Sequence, residues 1–131
     1  NKFEFRMVGS EDSIGSPNTT LNAIVAEAFC EAADRLEAAD DFDKAVHDLI
    51  KEYMTKHQRI IFNGNGYSEE WVEEAARRGL PNIATMVEAV DTLVTEKSVK
   101  LFERFGIFTK AELESRVEIL YEIYAKYLIE N

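Results

Sequence analysis

Residues 1–38 read NKFEFRMVGSEDSIGSPNTTLNAIVAEAFCEAADRLEA, and within them the hydrophobic period changes from two to 3.6. Phe3, Phe5 and Met7 alternate with Glu4 and Arg6, the pattern of a β-strand with one apolar face. Gly9-Ser10 and then Ser13-Ile14-Gly15-Ser16-Pro17-Asn18 form a turn-rich loop. Beyond it, Leu21, Ile24, Val25, Ala28, Phe29, Ala32 and Leu36 recur at i, i+3, i+4 spacing. That spacing predicts a helix over 19–38 with a broad core-facing stripe, capped by Asn18 or Thr19. A terminal strand this short needs partner strands, and none follows it. The expectation is a helical domain carrying one strand of a larger sheet, cut from a longer chain.

The rest of the sequence keeps to helical patterning. A second helix is expected over 42–57, capped by Asp40 or Asp41, with Ala45, Val46, Leu49, Ile50, Tyr53 and Met54 apolar. Residues 59–62 read as a short, extended apolar link, and Asn63-Gly64-Asn65-Gly66 as a tight turn. Ser68 caps a third helix over 69–78 that packs Trp71, Val72 and Ala75 inward and ends at Gly79. After the Leu80-Pro81-Asn82 break, Asn82 or Thr85 opens a fourth helix through Leu93, with Ile83, Met86, Val87, Val90 and Val94 apolar. Thr95 caps a fifth over 96–105, with Leu101, Phe102 and Phe105 buried, closed by Gly106. Thr109-Lys110-Ala111-Glu112 is a capping box for a last helix over 110–129. Its stripe is Leu113, Val117, Leu120, Tyr121, Tyr124, Tyr127 and Leu128. The fold class is therefore mainly α, a bundle of five to six helices around one core with a short N-terminal β-strand left over from a larger sheet. Residues 1–17 form the strand and loop, and 18–131 the helical domain.

Composition narrows the function classes. With 131 residues and 46% hydrophobic content, the chain is long enough to bury a core. Its net charge of −10 argues against nucleic acid and against an anionic membrane surface. No apolar run approaches the roughly 20 residues needed to span a bilayer, and no signal peptide is present. The single cysteine, Cys30, reads as a small core residue, and the lack of disulfides suits a cytoplasmic protein. Asp40, Asp41 and Asp43 lack the D-x-D-x-D-G spacing of a calcium loop and read as an acidic helix start. His47 and His57 lie near opposite sides of one helix and cannot share a metal within it. The Asn63–Gly66 run lacks both glycine-rich phosphate-binding signatures. Arg77 and Arg78 complement the C-terminal end of a helix, with ligand contact as the alternative. The tyrosines of the last helix are core, or a docking face for missing chain or a neighbouring subunit.

Glu4 and Arg6 point the same way from the strand. They are either a surface ion pair or a site in which Glu4 ligates a hard divalent cation and Arg6 grips a carboxylate or phosphate. The string F-E-F-R-M-V-G-S-x-x-S-I-x-x-P-N-T-x-L-N-x-I-V-A-E resembles the end of the catalytic domain of glutamine synthetases, the type III (large bacterial) branch above all. IIFNGNGYSEEW at 60–71, EAARRGLPN at 74–82 and LFERFGIFTKAELESR at 101–116 also look like type III, so the resemblance covers nearly the whole chain. It implies that Glu4 ligates the metal on the nucleotide-phosphate side. It also implies that Arg6 is the catalytic and substrate-binding arginine, contacting the side-chain carboxylate of glutamate and the transferred phosphoryl group. The commoner branches carry N-P-Y after this strand, whereas this chain reads Pro17-Asn18-Thr19.

From the resemblance, the parent protein is a cytoplasmic glutamate–ammonia ligase using ATP with Mg2+ or Mn2+. Its partners are glutamate, ammonia and ATP, and it is a homo-oligomer built as a ring. No nucleotide-binding residue is assigned in this chain, no cofactor is expected on the fragment, and the fragment alone is expected to be inactive. The alternative is a helical interaction or assembly module without chemistry of its own.

Overall fold

The computed structural model describes residues 13–130, and side chains through Tyr127. The expected strand, with Glu4 and Arg6, lies outside the described residues. Within them are six α-helices: α1 Gly15–Glu37, α2 Phe42–Lys56, α3 Glu69–Arg77, α4 Met86–Val90, α5 Glu96–Arg104 and α6 Lys110–Glu130. Short 3-10 turns follow α2 (Gln58–Ile60) and α4 (Asp91–Val94). The first replaces the start of the expected extended link; the second takes up the last turn of the expected fourth helix.

Helix ends follow local chemistry. Asp41 Oδ1 accepts from the Lys44 amide at 3.0 Å, and Ser68, Thr85 and Thr95 hydroxyls cap α3, α4 and α5 in the same way. The capping box of α6 is complete. The Glu112 amide donates to Thr109 Oγ1, and the Thr109 amide donates to Glu112 Oε2 at 2.7 Å. Gly79 and Gly106 take φ of +68° and +61° just past α3 and α5. There Leu80 N–H reaches Ala75 O and Ile107 N–H reaches Phe102 O, the Schellman closure that favours glycine at this position. The start of α1 departs from expectation. It begins at Gly15, and neither Asn18 nor Thr19 caps it. Pro17 is accommodated because first-turn amides have no helical partner to lose.

Ala23 of α1, Phe102 of α5 and Leu113 of α6 are the buried centre, with Val94, Val99, Leu101, Ile107 and Phe108 packed on it. Leu49, Val90 and Val117 are buried as well. Several expected core positions are instead exposed: Ile24, Val25, Ala28 and Phe29 on α1, Ile50 and Met54 on α2, Val72 on α3, and Ile83, Met86 and Val87 around α4. Periodicity finds an apolar face but does not say which neighbour covers it. On α1, Ala23 packs against Phe102 of α5 and Leu113 of α6, α2 lies along the same helix, and Ile24, Val25 and Phe29 are turned outward. On α6, Tyr121 faces inward and its hydroxyl donates to Asp91 Oδ1 at 2.7 Å, whereas Tyr124 and Tyr127 are exposed.

Candidate functional site

The densest constellation of chemistry among the described residues joins α3 to the segment before it. Ser68 starts α3 so that Trp71, Glu74 and Arg78 fall on successive turns of one side. Phe62 stacks on Trp71, with ring centroids 4.3 Å apart and planes inclined by 25°. Gly64 permits this fold-back. A Cβ there would stand 2.6 Å from the Phe62 ring. Arg78 also lies over the Trp71 ring, 5.5 Å from its centroid. Its Nη1 donates to Ile61 O at 2.7 Å and Arg59 O at 3.2 Å, while Nε donates to Glu74. Arg77 forks onto Glu74 through Nε and Nη2, at 2.7 and 2.6 Å. Hydrogen bonds from Arg77 and Arg78 hold the Glu74 carboxyl at a pKa of about 2, well below the usual carboxylate range.

Arg77 and Arg78 are thus more than favourable charges at a helix end. Arg78 clamps residues 59–61 against α3 through backbone carbonyls, and most of its donors are committed within the chain. A cleft of about 780 Å3 opens beside the clamp, lined by Met54, Gln58, Arg59, Asn63 and both arginines among others. Glu74 as the hub was missed in the sequence, although Glu74 with Arg77 and Arg78 at i+3 and i+4 is a readable signal.

The remaining candidates settle simply. Glu4 and Arg6 lie outside the described residues. His47 is exposed, and His57 ends α2 with its ring edge-on to Tyr53 at 6.0 Å. Cys30 is half-buried on the inner side of α1. Asp41 is a helix cap, and Asn65 accepts from the Tyr67 and Ser68 amides to form the expected turn. Among the described residues no three His, Cys, Asp or Glu side chains converge as a metal site. No helix among them is long and apolar enough to cross a membrane.

Residues 45–131, which hold α2 from its first turn through α6 and the whole Phe62–Trp71–Glu74–Arg78 constellation, match the family described as glutamine synthetase C-terminal domain. The chain belongs to that family. It is 43% identical over 129 residues to the type-3 glutamine synthetase of Dictyostelium discoideum, covering 96% of this chain and 18% of the relative. A glutamine synthetase of Butyrivibrio fibrisolvens is 47% identical over 89 residues, covering 68% of this chain and 13% of its own. One from Bacteroides fragilis (strain YCH46) is 37% identical over 128 residues, covering 95% of this chain and 18% of its own. The chain therefore spans less than a fifth of these curated glutamine synthetases. Its α1 lies ahead of the span matched as the glutamine synthetase C-terminal domain.

Proposed function

We propose that this chain is the C-terminal part of a type III glutamine synthetase, the large bacterial form, which joins ammonia to L-glutamate at the expense of ATP through γ-glutamyl phosphate. The observation that carries the reading is the family match over residues 45–131, supported by 43% identity to a relative named type-3 glutamine synthetase. In this reading residues 1–17 end the catalytic domain and residues 18–131 form the helical domain. Glu4 is a metal ligand on the strand, and Arg6 binds the glutamate carboxylate and the phosphoryl group transferred to it. Phosphoryl transfer to a carboxylate gathers several anions, and a planar guanidinium neutralises and orients them with two parallel hydrogen bonds.

The family implies ATP with Mg2+ or Mn2+. Among the described residues no metal cluster forms, and Glu4 is the ligand this chain is proposed to supply. The parent is a cytoplasmic homo-oligomer in this reading, and the 131-residue chain by itself makes no glutamine. A helical module that covers and assembles the enzyme is the complementary reading for residues 18–131, favoured by the apolar side chains left exposed on α1 and α6.

The test is ATP-dependent glutamine formation by the parent polypeptide and its Arg6→Ala variant. Loss of about 10²–10³-fold or more in kcat with an unchanged melting temperature is expected for a group that meets developing charge. A nearly normal variant removes Arg6 from the site. A parent that makes no glutamine removes the ligase reading.

A further inference from the structure

The chain has 25 acidic residues against 15 basic ones, yet residues 53–68 and 75–87 hold no carboxylate and carry Lys56, Arg59, Arg77 and Arg78. The fold brings these two stretches together. Arg78 on α3 donates to the carbonyls of Arg59 and Ile61, so the ends of α2 and α3 wall the same cleft of about 780 Å3. Arg59, Arg77 and Arg78 all line it, and none of its described lining residues is acidic. Arg77 and Arg78 share one carboxylate, that of Glu74, and Arg59 makes no ion pair among the described residues. Arg78 Nη2, Arg77 Nη1 and the whole Arg59 guanidinium have no acceptor among those residues either. Two helices end here, and their carbonyl ends together amount to about one negative charge. Set against that charge and Glu74, three guanidiniums leave about one positive charge, and Lys56 at the end of α2 adds another. The cations therefore exceed what the helix ends require.

We propose that this cleft binds a small organic dianion, a phosphate monoester or a dicarboxylate, between Arg59 on one wall and Arg77 and Arg78 on the other. Guanidinium forks match the oxygens of both head groups, and two negative charges balance the local excess. Met54 and Ile61 also line the cleft and offer apolar contact to a carbon skeleton. The volume lies within the roughly 300–1,000 Å3 of small-ligand sites. The site is organised in advance. The clamp fixes the Arg59 backbone, and Arg78 is held with 22% of its side chain exposed, whereas Arg77 is 73% exposed and reaches solvent. A nucleic acid or an acidic protein surface is the poorer fit. Either extends well beyond the Debye length of about 8 Å and meets the net charge of −10, whereas a small ion feels chiefly the local cations. The proposal does not rest on the ligase reading.

Titration of the full 131-residue chain, 15N-labelled and followed by NMR, tests this. Glycerol 2-phosphate and succinate are the probes, each compared with sodium chloride at equal ionic strength. The expected result is saturable shifts at Arg59, Asn63, Arg77 and Arg78, half-complete at about 1 mM or below, the affinity that two charge-assisted hydrogen bonds supply. Saturation by glycerol 2-phosphate, by succinate or by both supports the site and tells which head group it takes. Arg59→Gln is the decisive variant. Arg78 grips the Arg59 carbonyl and not its side chain, so the clamp survives the change. The variant should keep its melting temperature and bind at least about tenfold more weakly. Arg77→Gln, on the other wall, repeats the test independently. Shifts that grow without saturating, or that sodium chloride reproduces, overturn the proposal. Saturable binding that both variants leave unchanged also overturns it, because the ion then sits elsewhere.

Discussion

Leu113→Ala probes the centre of the fold. Leu113 is 1% exposed and meets Ala23 and Phe102. Alanine removes three carbons, and at about 0.8 kcal/mol per buried CH2 the lost transfer energy is about 2.4 kcal/mol. A sealed void would add about 24 cal/mol per Å3. However, Leu113 also lines a cleft of about 450 Å3 between the start of α1, α4 and α6, so part of the new space joins an existing opening. The total lies near the low end of the known range for such truncations, about 3 kcal/mol. For 131 residues, with an unfolding entropy of about 2.1 cal/mol/K per residue, that lowers the melting temperature by about 10 °C. Urea and thermal melts followed by circular dichroism measure it. Ile119→Ala is the control on the same helix. It is 51% exposed and should change stability by less than about 0.5 kcal/mol. Equal losses for the two variants, or a Leu113→Ala loss below about 1 kcal/mol, would refute the placement of Leu113 at the core.

Gly79→Ala and Gly106→Ala each force a Cβ into the left-handed region and should cost about 1–2 kcal/mol, read by the same melts. Glu74 has a folded pKa of about 2 against an ordinary 4.5, so its contribution to stability is present above the ordinary value and is lost as pH falls from about 5 toward 2. Melting temperatures measured from pH 6 to pH 3 should therefore fall more steeply for the native chain than for Glu74→Gln. Trp71 is the only tryptophan, so intrinsic fluorescence reports the clamp. Arg78→Ala should shift its emission and raise its accessibility to a quencher, whereas Lys100→Ala, at a distant surface ion pair, should leave both unchanged. Tyr121→Phe removes the bond to Asp91 and should cost about 0.5–1.5 kcal/mol.

The sequence by itself determined the helices and most of their ends. Asp41, Ser68, Thr85, Thr95 and the Thr109–Glu112 box act on amides within three residues, and Gly79 and Gly106 act on the turn just completed. Such interactions are local, so residue type and spacing decide them. Residues 15–18 misled because Pro17 reads as a break, yet it is tolerated in a first turn. The candidate site was half legible. Arg77 and Arg78 were found as charges at a helix end, but the carbonyls that Arg78 grips belong to residues 17 and 19 positions earlier. Only tertiary structure decided that pairing, as it decided the Tyr121–Asp91 bond and the side on which α1 is buried. Period 3.6 marks where apolar side chains line up along a helix. It carries no information on which neighbour packs against them, and on α1 packing against Phe102 and Leu113 placed Ala23 in the core and left Phe29 outside.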